Sequence, residues 1–222
     1  KPAVKDRLIA AGLPTPSWSS DGHGFDAGDR VIVKSLVEHA SFGIDAASVV
    51  PADRAPREIA SREARFGGTF FAEAFIEGRE FNISVIEGAT GPVVLPPAEI
   101  EFIDFPAGRP RIVDYEAKWL GDSAAFENTP RTFDFPPTDL PLLAEVRALS
   151  SAAWELFQLE GYARVDFRVD TEGRPWILEV NLNPCLTPDA GFIAAAGRAG
   201  YGFDEMIARI VDVAVKSVQR AV

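Results

Sequence analysis

The 222-residue sequence has one cysteine, one methionine and two histidines, and no run approaching the ~18 apolar residues that a membrane span requires. A single Cys185 has no internal disulfide partner, and neither it nor His23 and His39 stands at zinc-site spacing. The expectation is a reducing, cytoplasmic setting with no membrane association. Positive charge is also scarce. Lys plus Arg total 22 against 33 Asp plus Glu, a net charge of -11, which argues against binding nucleic acid through its phosphate backbone but leaves small anionic ligands open. Internal repeats and low-complexity segments are absent, and 47% hydrophobic residues exclude a disordered chain. The sequence opens at Lys1 with no basic-then-apolar signal pattern, so a further segment upstream is expected.

What is present alternates between strand and helix signals. Residues 4–11 read as a short amphipathic helix, stopped by Gly12, Pro14 and Pro16. Residues 30–34 form a β-branched strand ending in Lys34, and a small-residue loop follows at 38–44. A helix over 57–66 ends at Gly67-Gly68, before strands at 69–76 and 80–86 and an extended stretch over 93–103 that Pro96 and Pro97 interrupt. From 104 to 138 Gly, Pro, Asp and Thr predominate around a more ordered segment at 114–119, the composition of a functional or mobile loop. A helix over 140–159, a hairpin of 162–170 and 175–182, and a closing helix over 204–220 with Asp204 as N-cap complete the chain.

The hairpin is the most informative segment, because period-2 geometry sorts its residues onto two faces. Ala163, Val165, Phe167 and Val169 point one way, and Arg164, Asp166 and Arg168 the other. Along the second strand Leu178, Val180 and Leu182 line one face, while Glu179, Asn181 and Asn183 share the opposite one. Two carboxylates and an amide oxygen are hard ligands suited to Mg²⁺. Arg164 beside them is always charged and suited to a developing oxyanion or phosphate. A solvent-facing polar stripe is the commoner meaning of such alternation. The Asn-Leu-Asn-Pro run at 181–184, where an apolar strand passes into amide groups and a proline-stopped loop, suits a site better.

Glu179-Val-Asn181-Leu-Asn183-Pro184, preceded by Arg164-Val-Asp166, resembles the metal-binding end of ATP-grasp ligases, particularly the D-alanine-D-alanine ligase family. The resemblance extends through Gly-Leu-Pro-Thr-Pro at 12–16, Lys34, the loop 39–43, the Glu73 to Glu80 segment and Tyr115 to Lys118, in the family's order. It implies an α+β ATP-grasp fold whose two lobes, with mostly antiparallel sheets, sandwich ATP, and whose N-terminal substrate domain lies outside the chain. The corresponding divisions are a linker helix at 1–13, a central lobe at 14–100 and a C-terminal lobe with the metal site at 101–222.

The same resemblance implies the site residues and their roles. Lys1, Lys34 and Lys118 would contact ATP phosphates, Glu73 would accept from the adenine amino group, and the backbone near Phe75 and Ile76, with Leu178, would line the adenine. Glu80 would hold the ribose. The loop 39–43, with Ser41, would cover the β- and γ-phosphates through backbone N–H groups. Asp166, Glu179 and Asn181 would hold two Mg²⁺ ions, or Mn²⁺ in their place, and Arg164 would stabilise a tetrahedral intermediate.

The implied reaction is ATP-dependent joining of a carboxylate and an amine, both small molecules such as amino acids, through an acyl phosphate. Two alternatives stand beside it: an ATP-binding module without ligase activity, and a Mg²⁺-dependent phosphate-handling enzyme with another acceptor. A homodimer or a separate substrate-binding domain is the implied partner. Three departures from the family pattern concern the acceptor side: Cys185 for a glycine, Ala190 for a serine and Trp119 for a tyrosine. His39 replaces a glycine in the phosphate loop.

Overall fold

The computed structural model describes residues 1–106, 108–119 and 123–220, with side chains other than those of residues 119, 217, 218 and 220. In chain order the helices and strands are α1 (Pro2–Ala10), β1 (Trp18–Ser19), β2 (Arg30–Ser35), β3 (Val49–Pro51), α2 (Ala55–Phe66), β4 (Phe70–Ala74), β5 (Gly78–Gly88), β6 (Gly91–Val94) and β7 (Ala98–Ile100). There follow α3 (Tyr115–Trp119), α4 (Ala124–Glu127), β8 (Arg131–Thr132), α5 (Leu140–Phe157), β9 (Tyr162–Asp170), β10 (Pro175–Asn181), α6 (Gly191–Arg198) and α7 (Phe203–Arg220). No described helix is long and apolar enough to cross a membrane.

The chain divides into two compact units, and the division is not a single cut in the sequence. The first unit comprises Lys1–Asp6, Thr15–Gly78 and Glu101–Pro130; the second comprises Arg7–Pro14, Arg79–Ile100 and Arg131–Val222. In the first unit, four strands form a sheet in the order β1-β4-β2-β3, with antiparallel pairs. The β-branched residues Val31 and Val33 of β2 alternate onto the same face and pack with Phe70 and Ala72 of β4 and with Ala55 and Ile59 of α2. Segment 101–130 belongs to this unit because it is tied to it by hydrogen bonds: Ser41 Oγ donates to Val113 O over 2.8 Å, and Tyr115 N to Ile44 O over 3.2 Å.

In the second unit the sheet runs β10-β9-β5-β7-β8, with β6 paired to β5. Ile86 and Leu95 meet Phe192, Ala195 and Ala196 of α6 and Met206 of α7 in its main apolar cluster. Val85, Ala163 and Trp154 of α5 form another.

Four features depart from expectation. Residues 191–198 form α6, a helix whose run of Phe-Ile-Ala-Ala-Ala buries four of its side chains. The 104–138 stretch contains α3, α4 and β8, and α3 coincides with the ordered segment expected at 114–119. Asp204 lies within the first turn of α7 rather than at its cap, where its charge still favours the positive end of the helix dipole.

The fourth departure is a β-bulge at Leu178, where the register shifts between Ile177 and Glu179. Ile177 pairs with Phe167 on the fully buried face, and Glu179 pairs with Asp166 on the polar one. One extra residue is what lets neighbours two apart point to opposite faces. Leu182, assigned by alternation to the apolar face, lies beyond β10 and is 61% exposed.

Candidate functional site

Two groups of side chains concentrate the charge chemistry, one in each unit. In the first unit the centre is Glu73 on β4, which is 1% exposed. Lys34 on the adjacent β2 places Nζ 2.6 Å from Glu73 Oε1, and Lys5 on α1 places Nζ 2.6 Å from Oε2. The second contact is an ion pair by distance without hydrogen-bond angles. Lys5 is itself 2% exposed and donates to Thr15 Oγ1 over 2.9 Å, whereas Lys34 is 16% exposed. Burial pushes the Glu73 carboxyl up, but Lys34 and then Lys5 outweigh it, and the group is held below the ordinary carboxylate range.

The other residues expected in this unit have contacts of their own. Lys1 Nζ donates to Ser35 O over 2.8 Å and also to Glu38 O, at the end of β2. Phe75 N donates to Arg30 O over 2.9 Å, with the Arg30 guanidinium 5.0 Å from the Phe75 ring centre, and Ile76 follows half-buried. Lys118 is exposed on α3.

The loop 39–43 is tightly built. Ala40 and Ser41 both take left-handed backbone angles, φ 59 and 61, conformations that disfavour side chains. Gly43 also has positive φ, and a Cβ there would stand 3.2 Å from the Phe70 ring. Arg62 on α2 braces the loop by donating to Gly43 O and to Asp45 Oδ1, the latter over 2.7 Å.

In the second unit Arg164 and Asp166 stand on the same face of β9 and meet side-on, with Nε to Oδ1 at 2.6 Å and Nη2 to Oδ2 at 2.8 Å. Asn82 of β5 donates to the same Oδ1 over 3.1 Å. Across the hairpin Glu179 is directly opposite Asp166 and Asn181 directly opposite Arg164. Residues paired in this way share a face, so the bulged register gathers the expected Arg164, Asp166, Glu179 and Asn181.

Arg164 is held above its ordinary pKa: burial pulls it down, but Asp166, Glu179 and Glu80 more than compensate. Glu80 on β5 accepts from Arg168 Nη1 over 3.2 Å. Asn181 Oδ1 accepts from Asn183 N over 3.0 Å. Leu178 is the half-buried bulge residue. A second guanidinium, Arg131, is held below its ordinary value, first by burial and then by Arg164, with Asp189 opposing both.

The donor set can be tested against a divalent cation. Among the described residues no three His, Cys, Asp or Glu side chains converge as a metal cage. The hairpin instead offers two carboxylates and an amide oxygen, which are hard oxygen donors of the kind Mg²⁺ takes when substrate oxygens complete its shell. A carboxylate has about four lone-pair directions, and Arg164 and Asn82 occupy three on Asp166. The chemistry fits, with Asp166 retaining one direction for a further partner.

Several contributors escaped the sequence reading. Lys5 follows Lys1 by one turn and precedes Leu8 by three residues, so the i, i+4, i+7 spacing was the signal that places it on the buried side of α1. Asn82, alternating with Glu80 on β5, carried a period-2 signal, but its pairing with β9 is non-local. Arg131 had none. The Trp119 side chain lies outside the described residues.

The sequence model of the family described as D-ala D-ala ligase C-terminus matches residues 27–212. The chain belongs to this family. It is 28% identical over 226 residues to a D-alanine–D-alanine ligase of Synechococcus sp., covering 97% of this chain and 63% of the relative. It is 31% identical over 217 residues to a D-alanine–D-alanine ligase of Bordetella pertussis, covering 94% and 63%. The chain therefore spans less than two thirds of these curated relatives. Among solved structures it superposes on D-alanine–D-alanine ligase from Bacillus anthracis complexed with ATP, with a TM-score of 0.72 and 21% identity over all of this chain and 67% of that one. The fold is the ATP-grasp fold, α+β with antiparallel sheets.

Proposed function

We propose that this chain is the nucleotide- and metal-handling part of an ATP-dependent ligase that joins a carboxylate to an amine through an acyl phosphate, with amino acids or related small molecules as substrates. The observation that carries the reading is the bulged β9/β10 register, which sets Arg164, Asp166, Glu179 and Asn181 on one strip in a member of this ligase family. In the first unit Lys34, Lys1 and Lys118 would neutralise phosphate oxygens, and the loop with Ser41 would present backbone N–H groups to them. Glu73, Phe75 and Ile76 would receive the adenine. In the second unit Leu178 would pack on the base and Glu80 would take the ribose hydroxyls.

Asp166, Glu179 and Asn181 would hold two Mg²⁺ ions, which supply charge neutralisation between a carboxylate and a triphosphate. Arg164, half-buried and permanently charged, would face the tetrahedral intermediate as a fixed cation whose orientation Asp166 already sets. No side-chain nucleophile is needed, because the substrate carboxylate is the attacking group. Cys185, exposed with Sγ 3.3 Å from Thr187 Oγ1, has no role in this chemistry.

The test is ATP-dependent phosphate release across a panel of D- and L-amino acids, read together with the melting temperature. ATP with Mg²⁺ should raise the melting temperature by mass action, and particular amino acids should stimulate release. Release indifferent to amino acid would replace the ligase with a phosphate-handling enzyme. A melting shift without release would leave a binding module. The absence of any shift at millimolar ATP would remove the nucleotide site.

A further inference from the structure

We propose that Lys5 is a positioning residue that keeps Glu73 ionised and in place, so that Lys34 can leave Glu73 for an anionic ligand. The inference rests on the reading above that Lys34 serves nucleotide phosphates. Its structural basis is the asymmetry of the two lysines around one carboxylate. Lys5 is almost fully buried, fixed by Thr15 Oγ1 at 2.9 Å, and bound to Oε2. Lys34 is the more exposed partner, bound to Oε1. With two ammonium groups on one carboxylate, the group carries one positive charge in excess, and that excess resides on the lysine that is able to move. If Lys34 were the sole partner, its departure would strand a buried carboxylate, a state that ordinarily forces the carboxyl to take up a proton. Lys5 removes that obligation. Oε1, once vacated, is an open acceptor, which reconciles its present ion pair with the adenine contact assigned to Glu73.

The charged groups facing Glu73 are Lys5 from α1 and Lys34 from β2, while β1 on its other side brings Trp18 and Ser19. The deciding quantity is therefore proton uptake when nucleotide binds. An unpartnered buried carboxyl rises by up to about 3–5 pKa units, to roughly 7–9, so Lys5→Met should couple binding to protonation of Glu73.

The experiment is calorimetric titration of the 222-residue chain with Mg²⁺ and a non-hydrolysable ATP analogue between pH 7 and 8.5, in two buffers of different ionisation enthalpy. Wild type should bind with no proton uptake from this group. Lys5→Met should bind about tenfold or more weakly, take up a fraction of a proton that is largest at pH 7 and at most one, and weaken by up to tenfold per pH unit as pH rises; Lys5→Arg should restore proton-free binding. Equal affinity and no uptake in Lys5→Met would overturn the role of Lys5 while leaving the nucleotide site standing. No binding by wild type would overturn the nucleotide reading and this inference with it.

Should Lys5→Met not fold, the native chain still decides the matter through ¹⁵N NMR of its lysine ammonium groups. On adding the analogue the Lys34 resonance, identified by its loss in Lys34→Met, should move while that of Lys5 stays. Movement of Lys5 with Lys34 held in place would overturn the proposal.

Discussion

The two charge centres are built in opposite ways. In the second unit Arg164 and Asp166 are two residues apart on one strand, and Glu179 and Asn181 face them across a tight hairpin. In the first unit Lys5, Lys34 and Glu73 come from a helix and two strands separated by 29 and 39 residues of sequence, and meet only when the unit is folded. The hairpin centre is partly open and rich in acceptors, suited to meeting a ligand. At the Glu73 centre the carboxylate and Lys5 are closed off from solvent and Lys34 alone of the three is partly exposed, so part of its role is to hold the unit together. Chemistry should therefore suffer first from damage to the hairpin, and stability first from damage to Glu73.

The largest effect is expected at the hairpin. Asp166→Asn and Glu179→Gln should each abolish ATP turnover with the circular dichroism spectrum unchanged, and Arg164→Lys should lower it about 10²–10³-fold, because an ammonium cannot keep the side-on bond to Asp166. Full turnover in both carboxylate variants would remove the metal assignment.

Glu73→Gln should act in the other direction. It leaves the buried Lys5 ammonium without a counter-ion and should destabilise the chain by about 3–5 kcal/mol, measured by urea unfolding. A loss below 1 kcal/mol would mean that the first unit does not depend on its closed centre, and the contrast between the units would fail.

This difference in construction also explains what was legible in the sequence. Alternation on β9 placed Arg164 and Asp166 correctly because period 2 is a local property. The same rule puts Glu179 and Asn181 together on the polar face, as found, but its count runs through the bulge residue Leu178, so extended back to Ile177 it fails, since a bulge has no mark in the apolar pattern. Spacing along α1 can put Lys5 on the buried side but cannot name its partner, because that carboxylate lies 68 residues further on. The α6 helix escapes the periodicity because its eight residues, Phe192, Ile193 and Arg198 among alanines and glycines, are too few to show a helical repeat. Family resemblance, carried by ordered motifs, supplied the ATP-grasp fold that periodicity alone did not.

A smaller effect separates the turn of the hairpin from its working face. Asp170 accepts from Glu172 N, Arg174 N, Arg174 Nε and Trp176 Nε1 at 2.9–3.0 Å. Burial pushes its carboxyl up, but the Trp176 indole, Arg174 and Glu172 hold it down at about 2. A depressed folded pKa means that the contribution is full above the unfolded value near 3.9 and is lost as pH falls toward about 2. Asp170→Asn should therefore cost about 1 kcal/mol near neutral pH, reduced by solvent screening. Its urea midpoint should converge with wild type by about pH 2. A difference that persists at pH 2 would assign the loss to shape rather than charge.

The smallest effect tests whether strain in the first unit serves ligand binding. Ala40 in the loop and Gln158 at the end of α5 share the left-handed conformation, at φ 59 and 51. Gln158 terminates a helix, a place where glycine is the usual solution. Replacing either by glycine removes a steric cost of roughly 1–2 kcal/mol and adds back about 0.5–1 kcal/mol of unfolded-state entropy, a net gain of about 0.5–1 kcal/mol. At this chain length that is a rise of about 1–4 °C in melting temperature. Both variants should show it. Their nucleotide affinities should differ, because a loop that grips phosphate through fixed N–H groups loses preorganisation when glycine loosens it, whereas Gln158 is assigned no contact with the ligand. Ala40→Gly is expected to gain stability and bind an ATP analogue several-fold more weakly, and Gln158→Gly to gain stability alone. Equal affinities would show that the angles at Ala40 and Ser41 are merely a feature of the turn, and the phosphate role would then rest on Lys1, Lys34 and Lys118.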